Sequence, residues 1–176
     1  MKMKWRPRAR WLWLAGGSAA SIYLWMNRRL FTVNDVIAGK SKDYPSIKPH
    51  AYAFPTEQVF IIAEMAARSL PRWRVTSVDR IGREIQAEAE TALFSFFDDI
   101  TIRVDPIPNS RISEVTVRSR SRKGVGDLGN NARNIRAFYQ SLDKRMRNAT
   151  GVAPVVDTVV DKVVEKVVDT TENAKS

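Results

Sequence analysis

Apolar residues fall on every second position in four successive runs of the chain, and at three- and four-residue spacing in two flanking runs. In Arg72 to Asp79, the residues Trp73, Val75 and Ser77 alternate with Arg72, Arg74 and Thr76. Glu84 to Thr91 sets Ile85, Ala87 and Ala89 against Glu84, Gln86, Glu88 and Glu90. Asp99 to Asp105 sets Ile100, Ile102 and Val104 against Asp99, Thr101 and Arg103, and Arg111 to Arg122 sets Val115 and Val117 against Glu114, Thr116, Arg118, Arg120 and Arg122. Period-two alternation predicts strands with one buried and one wet face. Arg80-Ile81-Gly82 and Pro106-Ile107-Pro108-Asn109-Ser110 supply turns between them.

The flanking runs have helical spacing. Val59, Ile62, Ala63, Ala66 and Leu70 form one stripe, with Pro55 suited to the first helical position and Pro71 as a stop. Ala132, Ile135, Tyr139, Leu142 and Met146 form a second stripe in a helix from about Leu128 to Asn148, with Asp127 as N-cap. The order α-β-β-β-β-α predicts an α+β domain over residues 55–150: a four-stranded antiparallel meander with two helices packed on one face.

Three further segments lie outside that pattern. Residues 1–30 hold a basic leader (Lys2, Lys4, Arg6, Arg8, Arg10) and then sixteen uncharged residues, Trp11 to Met26, closed by Arg28 and Arg29. As a helix this stretch is about 24 Å long, short of the ~30 Å hydrocarbon core. Trp11, Trp13, Tyr23 and Trp25 sit near its ends, where interfacial aromatics lie, and the arginines can snorkel. The segment reads as one membrane-anchoring helix; the alternatives are a signal peptide cut near Ser18-Ala19-Ala20, or a buried soluble helix. The basic flanks favour the N-terminus in the cytoplasm and the domain on the extracytoplasmic side. Residues 31–54, with Gly39, Pro45 and Pro49, read as a linker onto whose domain Tyr44, Ile47 and Tyr52 pack. Residues 151–176 repeat a valine pair every four positions, either a low-complexity tail or an amphipathic helix lying on lipid or a partner.

Charge refines the picture. The chain of 176 residues carries +10, and Met1 to Leu30 alone contributes seven basic residues and no acid. A basic excess beside an apolar segment suits lipid headgroups more than nucleic acid, so membrane lipid is an expected partner and nucleic acid is not. A protein partner could be met through the tail or the sheet face. With no cysteine, thiolate chemistry and disulfides are excluded. The single histidine, His50, lies in the linker and is expected to face solvent. Triads and histidine metal sites lose their support, and neither a catalytic set, a cofactor nor a metal is expected.

One motif invites a chemical reading. Gly124-Val125-Gly126-Asp127-Leu128-Gly129 matches G-x-G-x-x-G, but no strand follows its helix, which is wrong for dinucleotide binding. Either it is a turn with Asp127 as cap, or the helix amides together with Arg122, Lys123, Gly126, Asp127, Arg133 and Arg136 form an anion site. Arg118, Arg120 and Arg122 share a strand face. If Ile102 pairs with Val115, then Arg103 faces Glu114 and Asp99 faces Arg118, and the Glu84, Glu88 and Glu90 row meets arginines. That face is either self-paired or a binding surface. Asp98 and Asp99 point to opposite faces and cannot act together. Leu93, Phe94, Phe96 and Phe97 read as core, or as an apolar loop against membrane or ligand.

The stretch Tyr44 to Leu142 resembles the family called domain of unknown function 1499. The likeness rests on Tyr44-Pro45, Trp73, Asp98-Asp99, Val117-Arg118-Ser119-Arg120-Ser121-Arg122, Gly126-Asp127-Leu128-Gly129, Asn131-Ala132-Arg133 and Ile135-Arg136-Ala137-Phe138. The resemblance implies a bacterial or plastid envelope domain and no activity, cofactor or catalytic residue. The expected function is a membrane-tethered accessory domain binding a protein partner or an anionic headgroup. The rivals are a carrier with an apolar cavity beside Phe94 and Phe97, and an enzyme using carboxylates and arginines alone.

Overall fold

The computed structural model describes residues 32–91, 96–123 and 126–155, together with Ile22, Trp25 and Arg28. Its elements run in the order β1 (Asp35–Ile37), β2 (His50–Tyr52), α1 (Thr56–Arg68), β3 (Trp73–Asp79), β4 (Glu84–Glu90), β5 (Phe97–Pro106), β6 (Ser113–Ser121) and α2 (Asn130–Thr150). The architecture is α+β. The sheet is antiparallel throughout, and β3 to β6 form the expected meander.

The sheet has six strands where four were expected. The two extra strands come from the segment read as a linker. Both pair with the free edge of β6: β1 along Arg118 to Arg120, and β2 along Ser113 to Val115. Three-residue strands carry almost no period-two signal, and the intervening Gly39, Pro45 and Pro49 read as breakers. They are breakers only of the loop between the strands, which is closed by Gly39 N donating to Ile47 O at 2.8 Å. Tyr44, Ile47 and Tyr52 are buried as expected, and Val36 and Ala38 join them in the core.

The central strands bury alternate residues: Ile85, Ala87 and Ala89; Ile100, Ile102 and Val104; Val115 and Val117. These meet Val59, Phe60, Ala63, Ala66 and Ala67 of α1, and Ala132, Ile135, Phe138, Tyr139, Leu142 and Met146 of α2, in one core. In β3 the register shifts between Val75 and Ser77, so Val78 turns inward and Ser77, expected beside Trp73 and Val75, is exposed. Such a bulge adds one residue and inverts the alternation beyond it.

The β5–β6 register also differs from the expected one by two residues. Ile102 lies opposite Val117, Asp99 opposite Arg120 and Arg103 opposite Thr116. A two-residue slip keeps every side chain on its face, so the apolar pattern cannot distinguish the two registers. The self-paired outer face survives with other partners. Glu84 meets Arg103 at 3.6 Å, Glu88 bonds both Arg74 and Arg122, and Arg118 donates to Asp35 at 2.5 and 3.0 Å.

Among the described residues no helix is long and apolar enough to cross a membrane. Most of Trp11 to Met26, including Trp11, Trp13 and Tyr23, lies outside the described residues, as does the tail beyond Val155. Trp25 is described: it is 68 % exposed, with the Arg28 guanidinium 5.5 Å from its ring centroid.

Candidate functional site

At one end of the sheet the start of β3, the end of β4, the start of β5 and the end of β6 come together beneath the first turn of α2. A cleft of about 450 Å³ opens there. Its apolar walls are Leu70, Trp73, Phe96, Leu128 and Ala137; Arg72, Lys123 and Arg133 add positive charge, and Glu90 at the end of β4 adds a negative one. Among the described residues four non-glycine residues adopt left-handed backbone angles, and two of them, Arg72 (φ 62°) and Leu128 (φ 53°), line this cleft. Bulky residues are costly in that region, and such strain clusters at functional sites.

The cleft also carries buried polar groups. Asp98, at the start of β5, is 1 % exposed. Its Oδ1 accepts from Ser121 Oγ at 2.7 Å and its Oδ2 from Asn134 Nδ2 at 2.9 Å. Burial pushes the Asp98 pKa above the ordinary carboxylate value. Those two hydrogen bonds pull it back without offsetting burial, and the charges of Asp127 and Asp99 add to the rise. Asn131, fully buried, accepts from Ser119 Oγ at 2.6 Å and donates from Nδ2 to Asn34 O and Ser121 Oγ. The network therefore ties the residue before β1 to β5, β6 and α2 at one point. Both Asp98 oxygens thus accept an internal hydrogen bond, one from β6 and one from α2.

Asp127 holds the start of α2 by a different route from the expected one. The helix begins at Asn130 behind Gly129, whose φ of 76° places it in the left-handed region. From two residues before Gly129, the Asp127 carboxylate accepts from Gly129 N at 2.8 Å and from Asn131 N at 2.5 Å. An internal carboxylate thus already occupies amides that an external anion would use.

The six residues expected to form an anion site do not converge. Lys123, Gly126, Asp127 and Arg133 line the cleft; Arg122 and Arg136 do not. Arg122 is held on the outer sheet face by Asp99 (2.6 Å) and Glu88 (2.5 Å), which raise its pKa further above the ordinary arginine value. Arg133 instead donates to Leu128 O at 3.0 Å and to Asn130 Oδ1. Phe96 and Phe97 are 43 % and 40 % exposed, so neither belongs to the core. Lys123 Nζ sits 5.8 Å from the Phe96 ring centroid and Arg122 lies 6.0 Å from that of Phe97. Leu93 and Phe94 lie outside the described residues.

His50 departs from expectation. It is half-buried in β2, its ring stacked on Tyr139 at 3.9 Å, with Nδ1 3.0 Å from Asp143 Oδ1. Tyr52 OH donates to the same oxygen. Burial works against ionisation of Asp143, but the bonds from His50 and Tyr52 outweigh it and hold its pKa below the ordinary value. Burial, then Asp143, pushes the Tyr52 phenol far up. The alternation of His50 with Tyr52 was the one sequence signal of this arrangement. Among the described residues no group of three or more acidic or histidine side chains is placed to hold a metal ion.

A family model described as a protein of unknown function (DUF1499) matches residues 28–142. The chain belongs to that family. The match reaches beyond Tyr44 to Arg28, and so adds β1 to the β2 already inside the DUF1499 domain. No curated protein matches the chain. Among solved structures, the crystal structure of the di-domain ARO/CYC BexL from the BE-7585A biosynthetic pathway is similar at 12 % identity and a TM-score of 0.44, covering 65 % of this chain. This chain spans about half of that protein's length (47 %).

Proposed function

We propose that this DUF1499 domain is a membrane-tethered binding module that takes a small amphipathic anion into the cleft beneath α2. The reading is carried by the make-up of that cleft: aromatic and aliphatic walls, three basic side chains, and three carboxylates, of which the two buried ones, Asp98 and Asp127, are already committed to internal partners. Its volume of about 450 Å³ suits a small molecule. Asp127 is bonded to backbone amides and Asp98 has a raised pKa, so three basic side chains stand against one remaining carboxylate, Glu90, and favour an acidic head. The apolar walls favour a hydrocarbon or aromatic body. A ligand-binding role fits these features better than a protein-partner role, because the outer sheet face pairs its own charges.

The test is photolabelling of the detergent-extracted full-length protein with a diazirine-bearing fatty acid, with adducts mapped by peptide mass spectrometry. Adducts on Trp73, Phe96 or Leu128 that disappear in Ala137→Trp, which fills the cleft, are the expected result. Adducts confined to residues 1–30, or cleft adducts undiminished in a folded Ala137→Trp protein, would overturn the reading.

A further inference from the structure

The cleft end of the sheet is also where the chain enters the fold from its apolar N-terminal segment. Val33 O accepts from Asp127 N at 3.2 Å, and Asn34 O accepts from Ser121 N and from Asn131 Nδ2, both at 2.9 Å. The residues that follow Arg28 and Arg29 are thus hydrogen-bonded into the loop and strand that form the cleft. Three large apolar side chains stand exposed at the same end: Phe96, Phe97 and Leu128, at 43 %, 40 % and 45 %. Arg72, Lys123 and Arg133 share the cleft lining with Phe96 and Leu128, against the single acid Glu90 beside the internally bonded Asp98 and Asp127, and the Arg122 guanidinium lies 6.0 Å from the Phe97 ring centroid. Exposed aromatics ringed by cations match the headgroup layer of an anionic bilayer, where apolar tips enter the acyl boundary and the charges meet phosphates.

The opposite end offers a competitor. Ile81, in the β3–β4 turn, is 92 % exposed and stands between Arg80 and Arg83. It is a single apolar side chain beside no cleft and far along the strands from Asn34. Arg80 is, moreover, already paired with Glu64 at 3.2 Å. The chain's point of arrival and the cluster of three apolar tips both favour the cleft end.

We infer that Phe96, Phe97 and Leu128, with Arg72, Lys123 and Arg133, form a docking face for an anionic lipid surface, which turns the cleft mouth toward the bilayer. This orientation rests on the tethered reading of residues 11–26, and it makes the ligand of the cleft a molecule reached from the membrane.

The chain has no cysteine, so one introduced cysteine carries a unique spin label. Full-length Phe97→Cys, Leu128→Cys and Ile81→Cys proteins are labelled, reconstituted into vesicles of phosphatidylcholine with one quarter phosphatidylglycerol, and compared by power saturation with oxygen and a water-soluble nickel chelate. Labels at Phe97 and Leu128 should be oxygen-accessible and shielded from nickel, and the label at Ile81 should be aqueous. Lys123→Ala should shift the docked-to-undocked ratio by about fivefold toward the aqueous state. Aqueous labels at both Phe97 and Leu128 on vesicle-bound protein would overturn the docking face and leave the tether intact. Protein that does not cosediment with vesicles would overturn both. Equal shielding on pure phosphatidylcholine would overturn the choice of an anionic surface.

Discussion

His50 Nδ1 lies 3.0 Å from Asp143 Oδ1 and joins the short edge strand β2 to helix α2 across 93 positions of the chain. An ionised carboxylate can only accept, so the imidazole donates through Nδ1. The same Asp143 oxygen takes the hydroxyl of Tyr52, which is fully buried, while the His50 ring lies flat on Tyr139. A strand of three residues, paired with β6 and met on its other side by a single bridge from Ala51 to Val155, has little ladder of its own. The side-chain cluster supplies what its hydrogen bonds do not.

Asp143→Ala therefore leaves the Tyr52 hydroxyl buried without its acceptor, and should lower the unfolding free energy by about 1–3 kcal/mol in urea denaturation. The folded-state pKa of Asp143 is depressed. Its contribution is thus present above the ordinary carboxylate pKa and fades as pH falls through the depressed value. Asp143→Asn should flatten that acid limb of the stability profile and leave the alkaline side parallel to wild type. An unchanged acid limb would separate Asp143 from the acid sensitivity of the fold.

Asp98 has the opposite sign. Its folded-state pKa is raised, chiefly by burial, so the folded protein holds this proton more tightly than the unfolded chain does. Stability linked to Asp98 is full below the ordinary carboxylate pKa and declines as pH rises through the raised value. Asp98→Asn keeps a side chain that can accept from Asn134 and meet Ser121 Oγ, without the charge. It should match wild type in acid and exceed it at about pH 8, so that the difference between the two unfolding curves grows with pH. A constant difference across that range would rule out ionisation of Asp98 as its cause.

Asp127→Ala removes both bonds that hold the start of α2, to Gly129 N and Asn131 N. Loss of a helix cap costs about 0.5–2 kcal/mol. Hydrogen exchange should localise the change, with faster exchange at Asn131 than at Leu142, deep in the same helix. Uniformly faster exchange along α2 would indicate global destabilisation instead of loss of the cap.

The meander and both helices were legible because long runs repeat their period: seven to ten residues of alternation in β3 to β6, and apolar stripes over 13 and 21 residues in α1 and α2. The edge strands were not, since Asp35–Ile37 and His50–Tyr52 are each shorter than two full alternations and are set apart by prolines. Register was invisible for a related reason: Ile102 opposite Val115 and Ile102 opposite Val117 place the same faces inward. Of the candidate site, Lys123, Gly126, Asp127 and Arg133 were found through the glycine-rich loop before α2. Trp73 and Asp98 were not connected with them, because their neighbourhood is made by four strands ending together, a relation between distant residues. Arg122 was read both as part of the anion site and as sharing a strand face with Arg118 and Arg120; strand parity carries it to the outer face, where Glu88 and Asp99 hold its guanidinium.

Two glycines separate backbone strain from packing in a single comparison. Gly39 and Gly151 both adopt the left-handed region, at φ of 76° and 70°. A Cβ on Gly39 would stand 2.9 Å from Pro49 Cδ, inside the loop that joins the two edge strands, whereas one on Gly151 would meet nothing within 4 Å. Gly151→Ala should cost about 1–2 kcal/mol, the penalty for an L-residue in that region. Gly39→Ala should cost more, because the proline ring cannot swing aside as a flexible side chain would, and relief requires moving the 38–49 loop off β6. Equal losses of thermal stability for the two variants would mean that this loop yields freely, and that β1 and β2 are held by their own pairing with β6 instead of by the turn between them.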